Sequence, residues 1–261
     1  MDYGLRILKD VFMKNKEIKL TIVTCYNNKT MLNELIKSIN SQNCKCNIIL
    51  IDNTDNKYKS CSEAFNKVMC EVKTRFVLFV HQDVIFDKKD MLEQIISYLE
   101  MINAEDIVGM AGAIYENGKQ KIYSNIRNKN GITIDNVETF NGIIQCDSID
   151  ECIFGGYASF FKENKFDTKI CNGWHLYAVE RCLFTQTKNG KVYVCDVPII
   201  HISPGYINYD YCMCFYRLCC FYNKFYKRIC APCYCYKTKI FLREISLIKS
   251  LIKVFIGGGK I

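Results

Sequence analysis

Proline is scarce, with three residues beside 14 glycines in a chain of 261, and that scarcity argues against a long linker or a low-complexity segment. No internal repeat is visible. No uninterrupted apolar stretch is long enough to span a bilayer. The opening MDYGLRILKDVFMKNKEIKL is broken by Asp2, Arg6, Lys9 and Asp10 and holds no apolar core of the secretory-leader type. The chain is therefore expected in a reducing, cytoplasmic compartment, with most of its 17 cysteines as thiols. The motifs of nucleic-acid binders are missing, as is the paired CxxC…CxxC spacing of a zinc ribbon.

What is present is a large apolar fraction. Hydrophobic residues make up 49% of the chain, enough for one sizeable core, and the formal charge of +8 would attract phosphorylated substrates or an anionic membrane surface. The first half reads as a regular alternation. KLTIVTCYN (19–27), CNIILIDN (46–53), RFVLFVHQD (75–83) and DIVGMAGAIY (106–115) are apolar, strand-like runs. KTMLNELIKSINSQ, SCSEAFNKVMCEV and KKDMLEQIISYLEMI between them carry helical spacing, with Ser60 or Ser62 as N-cap of the second. This order predicts an α/β fold with a parallel sheet covered on both faces. The second half is less regular. Short strands are expected around Gly155–Gly156, a helix ending near Gly190, a strand followed by a loop carrying His201, a Tyr- and Cys-rich helix, and a basic amphipathic tail helix.

In such sheets ligands bind beyond the carboxyl ends of the strands. Three runs here end in polar tips, TCYNN, DNTDN and HQD, which would converge on one edge and bring Asp83 to it. The plainer alternative for Asp83 is a cap on the following turn.

The segments LTIVTCYNN, IILIDNTDN, RFVLFVHQDVIF and GWHLYAVERCL…VYVCDVPIIHISPG resemble, in their order, family 2-like glycosyltransferases of the GT-A fold over about residues 19–228. The nearest likeness is to the bacterial subgroup with a His-Gln-Asp motif in place of Asp-X-Asp, linked to capsule and surface polysaccharide. The resemblance implies a mixed sheet flanked by helices, with residues 1–228 as the transferase domain and 229–261 as a Cys/Tyr-rich segment and basic helical extension. It implies a metal-dependent, inverting transfer from a nucleotide sugar, with UDP favoured, to a saccharide or lipid-linked hydroxyl. A diphosphate leaving group builds charge that a divalent cation neutralises. Mn²⁺ or Mg²⁺ would be held by Asp83 and His201.

By the same resemblance His81 lies near the donor's ribose and Asp52 recognises the base; Gln82 is counted with them as a donor contact, and Thr24 and Tyr26, at the tip of the first strand, would flank the base. A buried polar histidine, an ordinary loop histidine and an Asx turn are the structural alternatives for His81, His201 and Asp52. Relatives read Tyr-Asp-X-Asp where this chain reads Tyr177-Ala178-Val179-Glu180, so the general base is Glu180, or Asp167 substitutes, or the enzyme is impaired and acts as a nucleotide-sugar-binding scaffold. Trp174, His175 and Tyr177 would line the acceptor pocket or pack in the core. Gly155–Gly156 would admit donor backbone contact or form a turn. A nucleotidyltransferase is disfavoured because TCYNNKT lacks the glycines of a phosphate loop.

The cysteines between Cys212 and Cys235 would form a zinc or iron–sulfur site or, more simply, stay as thiols in an aromatic helix. The tail helix would meet the inner face of a membrane, or pack on its own domain or a second subunit.

Overall fold

The structure is a computed structural model that describes residues 17–132, 136–203, 205 and 207–257; residues 1–16, read above for a leader, lie outside them. In chain order come β1 (Leu20–Tyr26), α1 (Lys29–Asn40), β2 (Asn47–Asp52), α2 (Cys61–Val68, prolonged by a 3₁₀ turn) and β3 (Phe76–Val80). Then follow β4 (Val84–Ile85), α3 (Met91–Met101), β5 (Ile107–Gly109), β6 (Ala111–Glu116), β7 (Lys119–Ser124), β8 (Ile126–Arg127), β9 (Ile143–Gln145) and β10 (Ser148–Ile149). β11 (Ile153–Tyr157), α4 (Ala158–Glu163), α5 (Tyr177–Thr187), β12 (Val192–Cys195), β13 (Ile199–His201) and α6 (Tyr209–Tyr222) lead to the hairpin β14 (Arg228–Cys230) and β15 (Cys235–Lys237) and to α7 (Ile240–Gly257).

The main sheet has seven strands in the order β2-β1-β3-β11-β5-β12-β9. β1 pairs in parallel with β2 and with β3, but β11 enters antiparallel between β3 and β5, so the sheet is mixed. This matches the mixed sheet of the GT-A expectation and corrects the all-parallel reading, because alternation in the first half of a chain does not reveal a strand inserted from the second. Side chains of β3 point alternately to the two faces. Val77 and Phe79 pack with Phe65, Phe154 and Tyr177 on one side, while Phe76, Leu78 and Val80 pack with Leu35 and Ile95 on the other.

Local chemistry sets the first helices. Asn28 caps α1 by accepting from the amides of Thr30 and Met31, at 3.0 and 3.1 Å, and Ser60 caps α2 by accepting from the Glu63 amide at 3.1 Å. The run DIVGMAGAIY forms two strands, not one. β5 stays in the main sheet, while β6 turns away to pair with β7 and β10. β4, β13 and β8 form a small sheet at the carboxyl end of β3. His201 accordingly sits on a strand where a loop was expected.

The hairpin β14–β15 and α7 pack on α6 and contribute Ile229, Tyr236 and Leu247 to the same hydrophobic cluster as α2 and α5. Cys230 and Cys235 form a disulfide across that hairpin, and the other 15 cysteines are not disulfide-bonded. Cys212, Cys214 and Cys219 are buried thiols of α6.

Gly155 and Gly156 lie in mid-strand, buried between β3 and β5. A Cβ on Gly155 would stand 2.1 Å from the Val77 carbonyl oxygen, so the missing side chain serves backbone packing. This replaces both expectations for the pair, donor contact and a turn. Gly155→Ala should lower stability by about 1–3 kcal/mol or more, as overpacking does. Denaturant unfolding of the purified variant measures it.

Candidate active site

The carboxyl ends of β1, β2 and β3 border an open cleft of about 280 Å³, close to the lower bound of ligand pockets. A second lobe of about 220 Å³ adjoins it, and the two share His81, Asp83 and Trp174. Cys25, Tyr26, Asn27, Asn53, Asn56 and Gln82 line the first lobe. Asp150, Glu151, His175, His201 and Tyr211 line the second.

The join between the lobes is made by backbone pairing. β13 runs antiparallel to β4 with His201 opposite Val84, and the Ile202 amide donates to the Asp83 carbonyl at 3.0 Å. This register brings His201 Nε2 to 3.3 Å from Asp83 Oδ1, while the Ser203 amide donates to Asp83 Oδ2 at 3.2 Å. His81, Asp83 and His201 each offer a ligand atom, and these atoms lie within 4.8 Å of one another. No other group of three such residues occurs among the described residues.

Tyr177 Oη meets His81 Nε2 at 2.6 Å and so orients its ring. Burial acts to raise the Asp83 carboxyl, but the hydrogen bond and charge of His201, the nearby His81 and the Ser203 amide bring it well below the usual carboxylate range. Burial depresses His201, and Asp83 more than restores it, so that imidazole ends above its ordinary value. His81 goes the other way, held low by burial and by His201. The donor set is thus an ionised carboxylate between two imidazoles of opposite tendency.

At the rim of the first lobe Asp52 Oδ1 accepts from the amide and hydroxyl of Thr54, at 2.9 and 2.7 Å, and Oδ2 accepts from the Tyr26 hydroxyl at 2.8 Å. These bonds, led by the Thr54 amide, lower its carboxyl to about 2. The Asx turn is therefore real, and it presents an exposed carboxylate beside Tyr26. Gln82 Oε1 accepts from the amides of Asn27 and Asn28, at 2.9 and 2.8 Å, and its Nε2 donates to Asn27 Oδ1. The side chain ties the β1–α1 loop to the end of β3.

Two expectations are corrected. Thr24 is fully buried within β1 and cannot flank a base. Its neighbours in sequence, Cys25 and Tyr26, reach the lobe instead. Glu180 is buried in α5 away from both lobes, where its Oε1 accepts from the Tyr222 hydroxyl at 2.8 Å and its Oε2 lies 3.7 Å from Arg181. Arg181 is itself buried between the rings of Phe166 and Phe184. Ala178 is also buried, and Asp167 accepts from the amides of Lys169 and Ile170, closing a turn. Neither carboxylate weighed for a base, Glu180 or Asp167, lines the cleft. Of the aromatics, Trp174 is exposed over both lobes and His175 lines the second, whereas Tyr177 is buried as the support of His81.

Sequence reasoning missed Asp150 and Glu151, which precede β11 and line the second lobe. Glu151 Oε2 accepts from the Leu176 amide at 2.5 Å, and its Oε1 lies 3.7 Å from His175 Nδ1. Leu176 has φ +64°, a left-handed conformation that costs a non-glycine residue about 1–3 kcal/mol. Glu151 thus pins a strained residue directly after Trp174–His175. The only sequence signal was a pair of acids ahead of an apolar strand.

Residues 21–215 match the model of a family described as "Glycosyltransferase like family". Among solved structures, the chain is similar to S. aureus TarS, with TM-score 0.51 and 12% identity over 78% of this chain and 39% of that one. It is similar to residues 1–349 of TarS in complex with UDP-GlcNAc, with TM-score 0.52 and 12% identity over 77% of this chain and 66% of that one. It is also similar to GalNAc-T7 with UDP, GalNAc and Mn²⁺, with TM-score 0.51 and 11% identity over 71% of this chain and 43% of that one. The chain thus spans well under half of TarS and of GalNAc-T7, and at these identities the likeness is one of fold, the GT-A fold. No curated protein sequence matches the chain significantly.

Because Glu180 belongs to a buried ion pair, Glu180→Ala should cost about 3–5 kcal/mol by stranding Arg181. Glu180→Gln keeps an acceptor for Tyr222 and should cost less. Thermal midpoints of the two variants give the order.

Proposed function

The chain belongs to the glycosyltransferase-like family, and on that premise we propose that it moves a sugar from a UDP-sugar to a hydroxyl of a saccharide or lipid-linked acceptor. Transfer is with inversion and serves the assembly of a surface polysaccharide or glycoconjugate. The observation that carries this reading is the meeting of His81, Asp83 and His201 where the two lobes join. A divalent cation bound there would neutralise the charge that builds on the departing diphosphate. The donor set fits such an ion, since Asp83 is held ionised and its neighbours are imidazoles. Mixed nitrogen and oxygen donors suit Mn²⁺ better than Mg²⁺, which prefers oxygen alone. GalNAc-T7 in complex with UDP and Mn²⁺, and TarS in complex with UDP-GlcNAc, support the choice of donor and ion.

The first lobe takes the nucleotide. Tyr26 offers a ring to the base and Asp52 an acceptor for the imide N–H of uracil, each steadied by their mutual hydrogen bond. Gln82 keeps the Asn27–Asn28 loop against the end of β3. The second lobe takes the acceptor, with Trp174 as a stacking wall between the two. There Glu151 serves as general base. Its Oε2 is held by the Leu176 amide, and its Oε1 takes the proton of the hydroxyl that attacks the anomeric carbon in line.

Burial of Ala178 and Glu180 favours a second reading, a nucleotide-sugar-binding scaffold without turnover. Titration of UDP-sugars by thermal shift with and without Mn²⁺, followed by a turnover assay, separates the two. Tight binding with no transfer to any acceptor supports the scaffold.

Two substitutions test the enzyme. Asp83→Asn should remove the Mn²⁺-dependent stabilisation by the donor and lower transfer and donor hydrolysis about 10²–10³-fold, with circular dichroism unchanged. Retained activity would rule out its role. Glu151→Gln should lower transfer about 10²–10⁴-fold and leave the donor-induced thermal shift in place, because the amide still accepts from Leu176. Undiminished turnover would remove Glu151 as the base.

A further inference from the structure

Helix α7 has two apolar faces, and the fold uses one. Leu247, Leu251 and Val254 pack against the core, and the Ser250 hydroxyl is bonded to Tyr236 beneath them. The opposite side carries Phe241, Ile248, Ile252, Phe255 and Ile256, each between 51 and 83% exposed. With half-buried Ile245 these residues recur at intervals of four and three, which aligns them along one side of the helix. A contiguous exposed apolar stripe of this kind marks an interaction surface.

The charges beside the stripe decide what covers it. Lys249 and Lys253 are exposed along its edge, and Lys239 stands exposed just before the helix. The one acid of the helix, Glu244, already accepts from the Tyr216 hydroxyl at 2.7 Å and lies 3.4 Å from Arg243 Nε. The face therefore offers positive charge with no spare negative charge. A second copy of the helix would bring lysine edges together without compensation, whereas an anionic surface would neutralise them. Helix α6, on which α7 packs, ends in a patch of the same make-up, with exposed Phe221 and Phe225 and with Lys224 Nζ 4.9 Å from the Phe225 ring centre. No helix among the described residues is long and apolar enough to cross a membrane.

We infer that the outer face of α7 docks the protein on an anionic lipid surface, lying in the interface with the Phe241–Phe255 stripe in the acyl boundary and Lys249 and Lys253 at the headgroups. This does not rest on the transferase reading.

The test is flotation of the full chain with vesicles of phosphatidylcholine alone and of phosphatidylcholine with about a third phosphatidylglycerol, a content that gives a strongly negative surface. The chain should float with the anionic vesicles only, and less so as salt is raised. Lys249→Gln with Lys253→Gln should weaken that binding about 30-fold. Ile252→Ser with Phe255→Ser should abolish it, with thermal midpoint and circular dichroism unchanged because both side chains are exposed. Failure of the unaltered chain to float, or flotation of the serine variant, overturns the inference. So does a dimer in sedimentation velocity that the serine variant dissolves while no vesicle binding is seen, since the stripe is then an interface between copies.

Discussion

The pairing of β4 with β13 is the contact on which the site depends. β3 brings His81 and Asp83 to the rim of the sheet, but a carboxylate and an imidazole two residues apart make an incomplete donor set. Antiparallel register with Val84 opposite His201 adds the third group from more than a hundred residues away. The backbone bond from Ile202 to Asp83 and the side-chain contact from His201 to Asp83 reinforce each other, so the geometry is held by strand and side chain together. A one-residue slip would turn His201 to the opposite face of the small sheet and dissolve the cluster.

Around that cluster the protein places its polar groups in shells of decreasing burial. Tyr177 is enclosed in the aromatic core with Phe65 and Phe154, and from there its hydroxyl fixes His81. The core thus reaches the site through one phenol, which connects packing directly to function. Glu151 plays the corresponding part on the other lobe, where it holds Leu176 in a left-handed conformation and with it the Trp174–His175 segment. The strain at Leu176 is confined to the residue that turns the chain from the cleft into α5. Glu180 and Arg181, by contrast, are engaged in the interior against Tyr222 and two phenylalanines.

Much of the first half was legible because each element there carries its own signal. β1, α1, β2, α2, β3 and α3 follow apolar periodicity and side-chain caps, and Asp83 could be placed at a strand end from the run before it. His201 is a candidate partner of Asp83 by its ligand chemistry and by resemblance, not by any local pattern, and Glu151 carries no such signal. Both depend on contacts between distant segments that leave no local pattern. Gly155–Gly156 misled for the same reason. A glycine pair reads as a turn or a ligand approach, and only the neighbouring strands reveal that the space of a Cβ is filled by the Val77 carbonyl. The split of β5 from β6 and the antiparallel entry of β11 likewise follow from partners that local sequence does not name.

By itself the sequence determined the α/β class, the first helices with their caps, the polar tips on three strands and the amphipathic character of the tail, since these rest on propensity and periodicity along a few residues. Tertiary structure decided the mixed order of the sheet, the burial of Thr24 and Glu180, the meeting of His81, Asp83 and His201, and which of two apolar faces of α7 remains uncovered. The physical reason is that burial and register are properties of pairs of distant segments, and a side chain's chemistry depends on which partner the fold sets against it.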